Sequence, residues 1–144
     1  MSGLAFFDTN ILLYADDRRS PAKRSRSINL ICENQSNGRF VVSTQVLQEY
    51  YTAATRKLDV DPEVAQRKVQ LLTLGRVVRI ESEDVVAAIE LHRLTRISFW
   101  DALIVHAART AGASVLYSED LQNGQILAGV PVVNPFLTGK QKPS

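Results

Sequence analysis

The chain has 144 residues, 45% of them hydrophobic and 22% charged, with a formal net charge of +2. That length suits one domain with a real apolar core, and the composition excludes a disordered chain; no apolar run approaches the roughly 20 residues a membrane-spanning helix needs. The mild basic balance does not by itself demand a nucleic-acid partner, while the start "MSGLAFFDTN" and the single cysteine, Cys32, lead us to expect a cytoplasmic protein without signal segment, membrane anchor or internal disulfide.

Short β-prone runs alternate with segments carrying helix signals, the pattern of parallel strands joined by helical crossovers. "LAFF" (4–7) is the first strand and "TNILLYADD" begins a short helix. Ser20 before Pro21 marks an N-cap with proline at the first helical position, opening a helix to about residue 35. "NGRFVVS" gives a turn and a second strand. Ser43 caps a helix over about 44–58, with Leu47, Tyr50, Tyr51, Ala54 and Leu58 on its apolar stripe. Asp61 and Pro62 open the next helix, which stops near Gly75. "RVVRI" (76–80) is a third strand. Ser82 precedes a helix to about Leu94, with Val85, Ala88, Ile89 and His92 at helical spacing. "SFWDALIVHAARTAG" is a helix stopped at Gly112, "ASVLYS" a fourth strand and "VPVVN" a short fifth. No repeat or linker divides the chain, so residues 1–137 read as one domain and 138–144, "TGKQKPS", as a C-terminal tail. The expected fold is α/β, with a mostly parallel sheet of four to five strands covered on both faces.

In such sheets ligands bind outside the carboxyl ends of the strands. Asp8 closes the first strand there and "SED" (118–120) closes the fourth, while Asp101 lies in the first turn of a helix that starts near the same edge. Each acid alone has a structural explanation. Asp8, followed by Thr9 and Asn10, can cap the short helix; Asp120 can organise a turn; Ser98-Phe99-Trp100-Asp101 has the form of a capping box. Together they make a stronger pattern. Two carboxylates about 4 Å apart repel by roughly 4 kcal/mol at an effective dielectric of about 20, so a cluster needs protons or a cation. A hard divalent ion such as Mg²⁺ suits carboxylate oxygens, activates water and steadies phosphoryl oxygens, which points to hydrolysis of a phosphate ester.

The segments "FFDTNILLY", "STQVLQEYYTA", "ISFWDALIVHAAR" and "VLYSEDLQNG", in that order, resemble the PIN-domain ribonucleases, and most closely the VapC-type toxins of toxin–antitoxin pairs. The resemblance runs across nearly the whole chain and implies a PIN-like three-layer α/β/α sandwich with Mg²⁺- or Mn²⁺-dependent endoribonuclease activity. It also implies an RNA substrate, a homodimer and inhibition by a small antitoxin protein. Position by position it implies that Asp8, Glu49, Asp101 and Asp120 are the catalytic and metal-holding acids, with Thr9, Asn10 and Ser118 in support. The competing readings are a housekeeping RNA-processing nuclease and a non-catalytic binding module of the same fold.

Outside that resemblance, Glu49 lies off its helix's apolar stripe and reads as solvent-facing. Glu119 reads as a surface acid or a partner behind the site. Arg18, Arg19, Lys23, Arg24 and Arg26 form a basic cluster that either tracks the RNA backbone, docks an acidic stretch of the antitoxin, or simply lines a solvated helix face. His92 and His106 are too few and too scattered for a zinc site, and His106 sits about 140° around the helix from Asp101. Cys32 is expected to be buried, and Phe99 and Trp100 to pack in the core rather than stack on a base.

Overall fold

Strand β1 (Leu4–Phe7) runs through the middle of the sheet, and its Ala5, Phe6 and Phe7 are at most 2% exposed. Successive strand residues face opposite sides, so burial of all three means that both faces of the sheet are covered. The computed structural model describes residues 3–137; the expected tail, 138–144, lies outside them. After β1 come α1 (Thr9–Tyr14), α2 (Pro21–Ser36), β2 (Phe40–Ser43), α3 (Thr44–Lys57), α4 (Pro62–Leu72) and β3 (Arg76–Val78). The chain continues through α5 (Ser82–Thr95), α6 (Phe99–Thr110), β4 (Ala113–Tyr117), β5 (Ile126–Leu127) and β6 (Val130–Val133).

The strands form one six-stranded sheet in the order β3-β2-β1-β4-β6-β5, parallel throughout except for the antiparallel β5–β6 pair. This is the α/β/α sandwich expected, with one strand more than the sequence indicated. The extra strand, β5, is only two residues long, too short to show a period. Successive crossovers carry the chain from β1 outward to β3 on one side, then back to β4 on the other side of β1. The switch in strand order therefore falls between β1 and β4, the place in such sheets where ligands bind, outside the carboxyl ends of the strands. Phe7 is in register with Tyr117, and the Asp8 N–H donates to the Tyr117 carbonyl at 3.0 Å. The ladder thus runs on until Asp8 and Ser118 stand side by side.

Local chemistry sets the helix starts. Ser43 accepts from the Val46 N–H at 3.4 Å and Asp61 from the Glu63 N–H at 2.8 Å, as capping residues should. Ser20 departs from expectation: its side chain makes no capping bond, and α2 starts instead from Pro21 and the Ser20 carbonyl, which accepts from the Arg24 N–H. Helix α5 is started by Glu81, whose N–H donates to the Asp84 carboxylate, rather than by Ser82. Gly112 ends α6 with φ at +70°, a conformation that favours glycine.

Three packing expectations are corrected. Cys32 is exposed, because α2 buries Ser27, Leu30, Ile31 and Asn34 at helical spacing and Cys32 falls outside that stripe. Tyr51 is 40% exposed, at the edge of a stripe otherwise centred on Leu47, Tyr50 and Ala54. On α5 only Ala88 is buried, against Ala102 and Leu103 of α6, so Val85 and Ile89 stay 37% and 42% exposed. No helix among the described residues is long and apolar enough to cross a membrane.

Candidate active site

Asp8 leaves β1 at the switch point and is 4% exposed. It caps α1, accepting from the Thr9 N–H at 2.7 Å through Oδ1, while Oδ2 accepts from the Ser118 hydroxyl at 2.7 Å. Burial is the main influence on its acidity, and the charges of Asp120 and Asp101 add to it. Although the Ser118 and Thr9 donors oppose them, the carboxyl is pushed up to about 7.

Asp120 lies at the solvent-facing rim, positioned by its own N–H, which donates to Ser118 Oγ at 3.1 Å. Its pKa is raised, first by partial burial and then by Asp101, with smaller contributions from Glu119 and Glu49. The Asn10 amide approaches it closely enough to oppose that shift, yet both polar atoms of Asn10 are buried without a hydrogen-bond partner.

Asp101 answers the capping-box question. Its backbone N–H donates to Ser98 Oγ at 3.0 Å, but its carboxylate makes no hydrogen bond among the described residues. Only the serine half of the box forms. The Asp101 carboxylate is left half-exposed, and its charge reaches both Asp8 and Asp120.

Glu49 is not turned to solvent as its place on the helical wheel suggested. Its Oε1 accepts from the Thr9 hydroxyl at 2.6 Å and its Oε2 from Gln45 Nε2 at 3.1 Å. The short helix α1 packs beside α3 and brings Thr9 under it. A chain of hydrogen bonds therefore runs from the Asp120 backbone through Ser118, Asp8 and Thr9 to Glu49 and Gln45.

A PIN-domain family profile matches residues 5–123, a span that holds every one of these acids. The chain belongs to the PIN-domain family. Its fold is shared by a Mycobacterium tuberculosis VapC20, a toxin that cleaves the sarcin–ricin loop, at a TM-score of 0.65 and 23% identity over 79% of this chain and 88% of that one. A toxin–antitoxin complex from Klebsiella pneumoniae matches at 0.63 and 21% identity, covering 92% of this chain and 98% of the other. A DNA-bound VapBC from Salmonella typhimurium matches at 0.61 and 18% identity, covering 91% and 97%. No curated protein sequence matches the chain.

The PIN-domain acids suit a hard divalent cation in donor type and in charge. Buried Asp8 is held partly protonated by its surroundings and its acidic neighbours, so a cation there would relieve a repulsion already present. Among the described residues, no three His, Cys, Asp or Glu side chains are closed into a finished ligand cage. The acids feel one another's charge at the strand ends without meeting at one point.

Glu119, next to Asp120, has a different role. Lys23 Nζ pairs with it and the Tyr14 hydroxyl donates to it at 2.6 Å. Burial pushes its pKa up, but the Lys23 and Tyr14 hydrogen bonds and the lysine charge outweigh that and hold it low. The rest of the basic cluster divides among separate tasks. Arg19 pairs with Asp17 at 2.9 Å, Arg26 Nε donates to the Pro135 carbonyl at 3.1 Å, and Arg24 Nε is buried without a partner. Arg18 is exposed and forms no ion pair among the described residues.

The histidines lie elsewhere, as expected. His106 Nε2 meets Asp84 Oδ1 at 2.8 Å, and His92 Nδ1 donates to the Ile97 carbonyl. Trp100 corrects the packing expectation. It is 61% exposed, with the Phe99 ring edge-on to it at 5.0 Å. Sequence reasoning overlooked Tyr14 and Gln45. The position of Gln45 four residues before Glu49 on one helix was the available signal.

Proposed function

We propose that the protein is a metal-dependent endoribonuclease that hydrolyses RNA phosphodiester bonds and acts as the toxin of a toxin–antitoxin pair. The observation that supports this most directly is the burial of Asp8 at the switch point within reach of the charges of Asp101 and Asp120. Asp8, Asp101 and Asp120, with Glu49 beside them, are the residues that would hold Mg²⁺ or Mn²⁺. When bound, such an ion supplies positive charge to a phosphoryl oxygen and acidity to an attacking water.

The chain's own residues do the positioning. Ser118 and Thr9 fix the two oxygens of Asp8, and Ser118 sets Asp120 at the rim. Thr9 and Gln45 hold Glu49 where its carboxylate can take a proton from water at the site. Lys23 and Tyr14 keep Glu119 engaged, so it does not add a further free charge. Arg18 is free to meet an RNA phosphate, and activity is then expected to fall as salt rises.

The proposal includes a cognate antitoxin protein, as in the toxin–antitoxin complex that shares the fold. It includes a homodimer as well, for which α5 offers the exposed Val85, Val86 and Ile89. Purified protein should cut single-stranded RNA with Mg²⁺ or Mn²⁺ and stop in chelator. Intact RNA with both ions would overturn the proposal. Growth arrest on expression, relieved by the product of the adjacent gene, tests the toxin reading.

A further inference from the structure

Helix α3 turns one polar face toward the start of α6. Gln45, Glu49, Thr52 and Arg56 recur at the three- and four-residue spacing of a single helix side. With Lys57 and Trp100 they line a cavity of about 580 Å³, within the usual range for a small-ligand site. It opens directly beside the acids, since Glu49 is joined to Asp8 through Thr9, and Trp100 precedes Asp101 in the chain.

Three features of this cavity bear on what could occupy it. Trp100 presents its indole at 61% exposure, braced by Phe99. Gln45 is 4% exposed; its Nε2 donates to Glu49 Oε2 and to the Trp100 carbonyl at 3.2 Å, but its Oε1 has no partner. Arg56 and Lys57 are exposed and form no ion pair among the described residues.

We propose that this cavity is a nucleobase subsite: an unpaired base stacks on Trp100, while Arg56 and Lys57 hold the flanking phosphates. The inference rests on the RNA-cleaving reading and adds to it the residues that grip the strand. A flat π face and two exposed cations match the face and backbone of a single nucleotide. An apolar helix from a protein partner fits poorly, because it would bury a guanidinium and an ammonium without partners. A base inside a duplex cannot reach the indole, so the subsite selects single-stranded RNA.

Trp100 is the only tryptophan, so its fluorescence reports on this position alone. In chelator, a short single-stranded 2′-O-methyl RNA should quench the emission, and a strand of equal charge carrying abasic sites should not. Affinity should weaken at least about fivefold in Trp100→Ala and recover in Trp100→Phe. Circular dichroism checks that both variants fold. Absence of quenching, equal affinity in Trp100→Ala, or emission that shifts with protein concentration alone would overturn the subsite. The last result would mean that a second copy covers Trp100. Cleavage with Mg²⁺ is measured in parallel. A wild type that cleaves RNA without Trp100 quenching overturns the subsite and spares the nuclease reading, whereas quenching without cleavage supports the subsite and removes that reading.

Discussion

The Ser118 hydroxyl donates to Asp8 Oδ2 at 2.7 Å while accepting the Asp120 backbone N–H at 3.1 Å, so one buried side chain fixes an acid from each of two adjacent strand ends. Ser118 is fully buried. Ser118→Ala should cost about 1–3 kcal/mol of stability in urea unfolding and lower RNA cleavage, because Asp8 and Asp120 both lose their shared anchor. Wild-type stability and activity in this variant would show that the bond is incidental.

Asp8 also gives the protein a pH-dependent stability. Its folded pKa, about 7, lies above the unfolded value of 3.8, so the proton is held more tightly in the fold. The resulting stabilisation is complete below about pH 4 and is lost as pH rises through about 7, on the order of 4 kcal/mol across the range. Thermal melts in chelator should show that decline, and Asp8→Asn should lack it and be the more stable protein at about pH 8. Added Mg²⁺ should flatten the wild-type profile, since a bound cation favours the carboxylate. A wild-type profile identical to that of Asp8→Asn would remove the argument.

The neighbours Glu119 and Asp120 should behave differently. Glu119 is committed to Lys23 and Tyr14, so Glu119→Gln should keep cleavage within a few-fold and lose at most about 1 kcal/mol of stability. Asp120→Asn and Asp101→Asn should abolish cleavage and weaken Mg²⁺ binding measured by calorimetry, with the fold retained. Equal losses in Glu119→Gln and Asp120→Asn would mean that the site extends to Glu119.

Thr9 links the first acid to the second, its N–H to Asp8 and its hydroxyl to Glu49. Thr9→Val preserves shape and the backbone donor but removes the hydroxyl bond. The expected result is a lower kcat with little change in KM, and a stability loss of about 1 kcal/mol. A change confined to KM would assign Glu49 to substrate binding.

The sequence alone carried most of the elements, because their signals are local. Pro21 and Pro62 open helices, Gly112 closes one, and the uniformly apolar "LAFF" reads as a buried parallel strand. The strand-end position of Asp8 was legible for the same reason. β5 was missed because two residues have no period, and the exposure of Cys32 and Trp100 was missed because apolar character does not say which side of a helix is covered.

What only tertiary structure decided was which polar groups meet. Glu49 stands 40 residues from Thr9 in the chain, and Ser118 stands 110 from Asp8. No local pattern couples such distances. They close because the switch in strand order places β1 against β4, and because α1 packs beside α3. The sequence by itself determined that acids would lie at strand ends. The fold determined which of them share a field, which one a lysine neutralises, and that Asp8, buried among them, holds its proton to about pH 7.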